Sequence, residues 1–286
     1  MIECFRESAV DVVESIRERI ALDSPVDRGG ALLDVGRLIR SRSPTILLQL
    51  EEWLFEAMKE ALFDHDSYVY LAAINALAEA SCYSSNSFYV FCCADAPLFK
   101  MFQAEPNQEP ETANGEEPVS TEVVVRSRLC EAIGKVFKEL GEMGPVWMDE
   151  CAGDFLACFA EDDEILRASS VQSLAELILA CRGKNIEKYL NEILLLVEKA
   201  LTSESSALVR RAAVNLLRQI IRSCDTMIFE VVGSRLRDLH RQLLHLWRFD
   251  SDHVVRLHAE LALEEMKMSI KNIVMEETSS IRTIKF

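Results

Sequence analysis

Glycine and proline are scarce in this chain, ten and seven among 286 residues. Runs of β-branched residues with period two are scarce as well. Both shortages weigh against β-structure, which needs turn residues and alternating strands, and the chain reads as all-α. No window of about 18–20 uncharged apolar residues occurs, so no membrane span is expected. Residues 1–22 carry charge throughout, which does not fit the apolar core of a signal peptide. Nine cysteines are spread through helical text with no CxxC and no zinc-finger spacing to histidine. They read as small buried hydrophobes in a reducing compartment. The GxSxG, GxxxxGK[ST] and GxGxxG patterns are all missing, which removes the usual one-line signatures of hydrolases and of nucleotide or dinucleotide sites. No catalytic residue, cofactor or metal is expected.

What the chain does have is one line repeated. Residues 161–178 read EDDEILRASSVQSLAELI. Altered copies stand at 64–80 (DHDSYVYLAAINALAEA), 203–221 (SESSALVRRAAVNLLRQII) and 250–266 (DSDHVVRLHAELALEEM), with a weaker one from Glu122 (EVVVRSRLCEAIGKVFKEL). Each begins with a polar or acidic turn. An aliphatic residue follows (Val69, Val125, Leu166, Val209, Val255), then Tyr70 or an arginine (Arg126, Arg167, Arg210, Arg256). About two turns on comes a second anchor: Leu77, Ile133, Leu174, Leu217, Leu263. The spacings of the last four copies are 41, 43 and 46 residues. A period of about 40–47 residues, with two helices in each unit, is the mark of a HEAT or armadillo array, an α-solenoid. The acidic residue at each helix start should cap free N–H groups. Asp163–Arg167 and Asp252–Arg256 should form i,i+4 pairs. One such helix cannot cover its own apolar stripe, so the units must stack, as a superhelix of about five helical pairs.

The array divides into helical repeats over 1–102, an acidic loop over 103–121, further HEAT-like repeats over 122–270, and a frayed tail over 271–286. Helices are expected over 3–22, 26–42 and 45–63, the last paired with the copy at 66–82. Ser81 to Asp95, rich in serine and aromatics, reads as a loop carrying an aromatic plug, and Pro97 to Phe102 as a short helix. The stretch 103–121 holds five Glu and three Pro with no aliphatic before Val119, the composition of a disordered segment. Beyond it the pairs are 145–160 with 164–182, 185–201 with 206–223, and 225–248 with 252–270.

The formal net charge is −16, unevenly spread. Residues 1–204 hold 18 Lys and Arg against 37 Asp and Glu, whereas 205–258 hold nine against five. An acidic body disfavours nucleic acid, whose phosphates are bound by Lys and Arg. The basic stretch is a solvated face or a docking surface for an acidic peptide. Within it, Ile228, Val231, Val232, Leu236, Leu239, Leu243, Leu246 and Trp247 fit one buried stripe. Arg235, Arg237, Arg241 and Arg248 then face outward or sideways, and these four are the candidate partner-binding residues. Four of the five histidines, His240, His245, His253 and His258, lie within 19 residues. Their spacing of five within each pair does not match the i,i+4 spacing of zinc sites. Cys92 and Cys93 are neighbours, and adjacent side chains on a helix diverge. The acidic triplet Asp162, Asp163 and Glu164 reads as capping.

Five lines, HDSYVYLAAINALAEA (65–80), LCEAIGKVFKELGEM (129–143), DEILRASSVQSLAEL (163–177), SALVRRAAVNLLRQIIR (206–222) and SDHVVRLHAELALEEM (251–266), together resemble the C-terminal region of the transport and Golgi organisation protein 6 family. That family includes the fungal factor required for nuclear transport of RNA polymerase II. The resemblance covers about 25–268; a first C-terminal-region domain falls at about 25–135 and a second conserved segment at about 225–266. The PVDRGG line at 25–30 and the stretches 83–95 and 103–121 depart from the family pattern. The resemblance implies an armadillo-like, non-enzymatic scaffold or adaptor in RNA polymerase II assembly and nuclear import. Its implied partners are proteins: polymerase subunits, co-chaperone and GTPase assembly factors, and nucleoporins, with no nucleic acid and no small-molecule substrate. The implied location is the cytoplasm, with shuttling to the nucleus. The alternative it carries is a role in protein secretion and Golgi organisation, peripheral to membranes.

Overall fold

A computed structural model describes residues 12–83, 121–140, 148–224 and 227–283. All regular structure among them is helical, and two compact units form, one over Met1–Leu140 and one over Gly141–Phe286.

In the first unit, α1 spans 12–20 and α2 spans Pro25–Arg40. Ser24 caps α2, accepting from the Asp27 N–H at 3.4 Å, and Pro25 occupies the first turn, where its missing donor costs nothing. Next come α3 (Pro44–Gln49), a π-helical turn over Leu50–Leu54, and α4 (Phe55–Ala61). The single helix expected over 45–63 is therefore broken. The wide turn changes the phase of the helix, so Leu54 and Phe55, adjacent in sequence, are both buried alongside Leu50 and Met58. After it, α5 runs over Ser67–Tyr83 and α6 over Thr121–Leu140. Helix α5 packs on α2 and on α6, so these three make a row. Gly29 of α2 faces the Tyr68 ring of α5 so closely that a Cβ there would stand 2.3 Å from Cδ1. The expected plug within 81–95, the short helix at 97–102 and the acidic loop at 103–121 lie outside the described residues, apart from the end of α5 and the start of α6.

In the second unit, α7 (Met148–Cys158), α9 (Leu190–Ser203) and α11 (Met227–Phe249) alternate with α8 (Glu164–Cys181), α10 (Ala207–Cys224) and α12 (His253–Thr283). Here α8 packs on α10, and α10 on α12, while α11 lies against α12 and α9. The copied lines of the sequence are thus one row of helices in each unit. Their aligned aliphatics Val69, Leu166, Val209 and Val255 are all buried to 1 % exposure or less. Val125 and Leu263 are half-buried instead. Helix α12 runs through to Thr283, into the stretch 271–286 that the sequence reads as a frayed end. Cys130, Cys151, Cys158 and Cys181 are buried thiols, and burial pushes Cys181 up to about 12.

The expected i,i+4 pairs do not form. Asp163 turns its carboxylate onto the helix start, accepting from the Leu166 N–H at 2.8 Å, and Asp252 accepts from Val254 and Val255 at 3.0 and 2.9 Å. With the caps so engaged, the arginine four residues on reaches back to the preceding loop. One terminal nitrogen of Arg167 donates to the carbonyls of Glu161 and Asp162 at 2.9 and 2.6 Å. Arg210 does the same to Glu204 and Ser205 at 3.1 and 2.7 Å, and Arg256 to Asp250 and Ser251 at 2.7 and 3.3 Å. Arg28 in α2 repeats the contact on Leu22 and Asp23 at 3.0 and 2.7 Å. Helix α2 is therefore a further member of the repeat, which the alignment of copied lines misses because PVDRGG lacks the aliphatic–arginine pair. The signal was present as Ser24 followed four residues later by Arg28.

The same arginines tie neighbouring helical pairs within a unit. Arg210 meets Asp250 with two bonds of 2.8 and 3.0 Å, its side chain 12 % exposed and the carboxylate 4 %. Arg28 meets Asp64 at 2.8 Å and Arg167 meets Glu204 at 3.2 Å. Each acceptor also takes the backbone N–H two residues on: Asp66 at 2.9 Å, Ser206 at 2.9 Å, Asp252 at 2.8 Å. A loop, the helix it feeds and the following loop are thereby held at one point, at the N-terminal ends of α2, α8 and α10. Those ends adjoin, so the helices of a row run parallel.

Candidate partner-binding faces

The four arginines singled out from the sequence sit on α11, and the structure separates them. Val232, Leu239, Leu243 and Leu246 are buried on one side. At about 100° per residue, Arg237, Arg241 and Arg248 fall within about 40° of one another on the opposite side, and all three are exposed. Arg235 lies nearer the buried side, is half-buried, and pairs with Glu198 of α9 at 3.5 Å. It is part of the packing between α9 and α11. Arg241 also meets Asp238 on its own helix at 3.5 Å, and Arg248 lies 5.8 Å from the Trp247 ring centre. The stripe expected to bury Trp247 does not do so: the indole is 38 % exposed and Phe249 beside it 70 %. Leu236 is half-buried, and the side chains of Ile228 and Val231 lie outside the described residues. The result is a face with three cations over about 16 Å of helix, edged by aromatic rings.

A second polar row joins α8, α10 and α12. Arg218 grips Glu265 through two bonds of 3.0 and 2.8 Å, and Arg222 adds bonds of 3.0 and 2.5 Å to the same carboxylate. Asn215 donates to Gln172 at 3.1 Å. Arg211 pairs with Asp252 and holds its carboxyl far below the usual carboxylate range, with the Val255 N–H helping. His258, 3.3 Å from Arg218, is held below its ordinary value by burial first and by the Arg218 and Arg211 charges next. Each cation in this row already has an anion or a carbonyl, so the row fastens helices to one another.

In the first unit, a groove of about 470 Å³ crosses α2, α5 and α6. Small residues, Gly36, Ala72 and Ala76, form its floor. Its lips carry charge that is largely matched: Arg40 with Glu79, and Lys135 with Glu131 and Asn75. Such a surface suits a protein segment laid across helices better than a small molecule. Among the described residues no group of three or more His, Cys, Asp or Glu side chains is placed to hold a metal. Nor is any described helix long and apolar enough to cross a membrane.

Parallel rows of capped helices, each pair closing the apolar face of the one before, define an α-solenoid of the HEAT and armadillo class. Solved structures share the fold. Kap121p matches 89 % of this chain over 23 % of its own length, at 12 % identity and a TM-score of 0.61. An engineered protein matches 89 % of this chain and 98 % of its own, at 19 % identity and a TM-score of 0.52. The archaeal HEAT-like repeats protein of Thermococcus onnurineus NA1 is also similar, at 15 % identity over 92 % of this chain and 93 % of its own, with a TM-score of 0.49. The family model described as required for nuclear transport of RNA pol II, C-terminus 1, matches residues 13–143. Over that segment, which holds α2 to α6, the chain is similar to that family.

Proposed function

We propose that this protein is a non-enzymatic adaptor that binds protein partners in the assembly and nuclear import of RNA polymerase II. The observation that carries the reading is the family match over 13–143. Two physical features support it. The charges in the rows between helices pair with each other, so they fasten the repeats. The exposed groups that remain form extended faces. Of these, the Arg237, Arg241 and Arg248 face of α11 has the sign and spacing to meet an acidic extended segment of a partner, with Trp247 and Phe249 as apolar neighbours. Arg235 is not part of this contact.

The test is affinity purification of the full chain from cytoplasm, with quantitation of RNA polymerase II subunits, alongside depletion of the protein and imaging of the polymerase. Enrichment of polymerase subunits and their retention in the cytoplasm on depletion are expected. Normal nuclear polymerase after depletion, with no subunit enriched, overturns the reading. Within it, the triple variant R237E/R241E/R248E should weaken partner capture at least about tenfold with helix content unchanged. Unchanged capture removes the α11 face from the contact and leaves the adaptor role standing.

A further inference from the structure

Helix α12 is far longer than its neighbours, 31 residues against 18 in both α8 and α10. At 1.5 Å per residue it extends about 46 Å. Its packed side chains, Val255, Ala259, Ala262 and Met266, all lie in its first half. Beyond Met266 none of its described side chains is buried. Roughly 150° from the packed side stand Leu257, Leu261 and Met268, within about 40° of one another and 53, 40 and 52 % exposed.

This exposed side is the stacking side of the row. One repeat earlier, 46 residues back, the equivalent positions are Arg211, Asn215 and Arg222. In α10 it is Arg211, Arg218 and Arg222 that reach across to α12. On α12 those three positions become Leu257, Glu264 and Met268. Where α10 fastens to its neighbour by ion pairs, α12 thus carries an apolar stripe. One flank of the stripe is divided by charge: Glu260 and Glu264 border the first half, Lys267 and Lys271 the second, all four exposed.

We propose that α12 is a self-association surface, on which a second copy of this chain lays its own α12 antiparallel. A two-fold axis near residue 266 places Leu257 opposite Met275, Leu261 opposite Lys271 and Glu264 opposite Met268. The acidic half of each copy then faces the basic half of the other. A parallel pairing would set like charges together. The antiparallel one also lays the second half of each helix on the first half of its partner. The contact is isologous, so it closes as a dimer. It is small beside a standard interface, so a dissociation constant in the range of about 1–100 µM is expected.

Sedimentation equilibrium of the purified full chain from about 1 to 200 µM is the test. A monomer–dimer equilibrium is expected. Leu261→Glu should abolish it with the circular dichroism spectrum and melting temperature unchanged, since Leu261 is a surface residue. The double variant K267E/K271E should also be monomeric, and the fourfold reversal E260K/E264K/K267E/K271E should dimerise again. A wild-type chain that stays monomeric to 200 µM overturns the proposal and leaves the stripe to a helix of another protein. A dimer that survives Leu261→Glu, or that ignores the double reversal, overturns it equally.

Discussion

The second unit and helix α5 of the first solve one problem by different routes. The described loops that lead into α2, α5, α8, α10 and α12 present carbonyl groups to a side-chain donor. In the second unit, Arg167, Arg210 and Arg256 supply it from the very helix that the loop feeds. In the first unit, α5 has Tyr70 at that position, and the donor comes from the next helix. Arg128 of α6 crosses to the carbonyls of Leu62 and Asp64 at 3.1 and 2.7 Å and stacks on the Tyr70 ring at 3.8 Å. The tyrosine thereby positions the guanidinium that replaces its own missing one. A repeat position is thus defined by the need it meets. The residue that meets it can sit one unit further along, provided the stacking brings it there.

This comparison can be broken most severely in the second unit. Arg210→Ala removes a guanidinium that holds two loop carbonyls and the enclosed Asp250, leaving a carboxylate without its cation. About 3 kcal/mol of destabilisation is expected for losing one member of so enclosed a pair. Amide hydrogen exchange should show it as faster exchange across α10 and α12. Exchange that rises only in the 204–206 loop would mean that the pair does not join the two helices. In the first unit, Arg128→Ala should cost about 2 kcal/mol, from two charge-assisted bonds and one cation–π contact. The sharper experiment adds Tyr70→Arg to it. If the loop simply needs a donor, R128A/Y70R should regain about 1 kcal/mol relative to R128A alone. No recovery in urea unfolding would show that the ring contact matters more than the carbonyls.

The smallest effect is in pH. Asp252 is held far below its ordinary value by Arg211, so its contribution is complete above the unfolded carboxylate range, near pH 4, and is lost as the pH falls below that. His258 is also depressed, mainly by burial. The folded chain therefore prefers it neutral, and stability falls as the pH drops through the unfolded histidine range, near 6.5, toward the lower folded value. Both signs make the second unit soften in acid. Thermal melts from about pH 7 to 5 should flatten in His258→Asn, and the further loss below about pH 4 should shrink in Asp252→Asn. A mutant profile parallel to the wild type would assign the acid loss elsewhere.

Much of the fold was legible along the chain because it depends on short-range periodicity. The aliphatics at Val69, Leu166, Val209 and Val255 repeat at helical spacing behind a capping residue, and helix formation and capping are settled within a turn or two. The break at Leu50–Leu54 was not legible, because an apolar run reads the same in an α-turn or a π-turn. The i,i+4 reading of Asp163 with Arg167 failed for a related reason. Sequence distance shows that two groups can meet, but the caps Asp163 and Asp252 had stronger claims from the helix N–H groups. Of the α11 arginines, the helical spacing already groups Arg237, Arg241 and Arg248. That Arg235 takes Glu198 as its partner, 37 residues away, is not legible in that spacing.

By itself, the sequence determined that the chain is helical, that its units recur every 40-odd residues, and where the helices of each row begin. These follow from local rules: 3.6 residues per turn, capping at the first turn, and apolar stripes that need covering. Tertiary structure decided which partner each charge takes. Arg28 to Asp64, Arg128 to the loop before α5, Arg210 to Asp250 and Arg218 to Glu265 are all contacts across 36 residues or more. Only the packing of one helix against the next brings such groups within reach, because a charged side chain carries no record in its own sequence neighbourhood of what will stand opposite it.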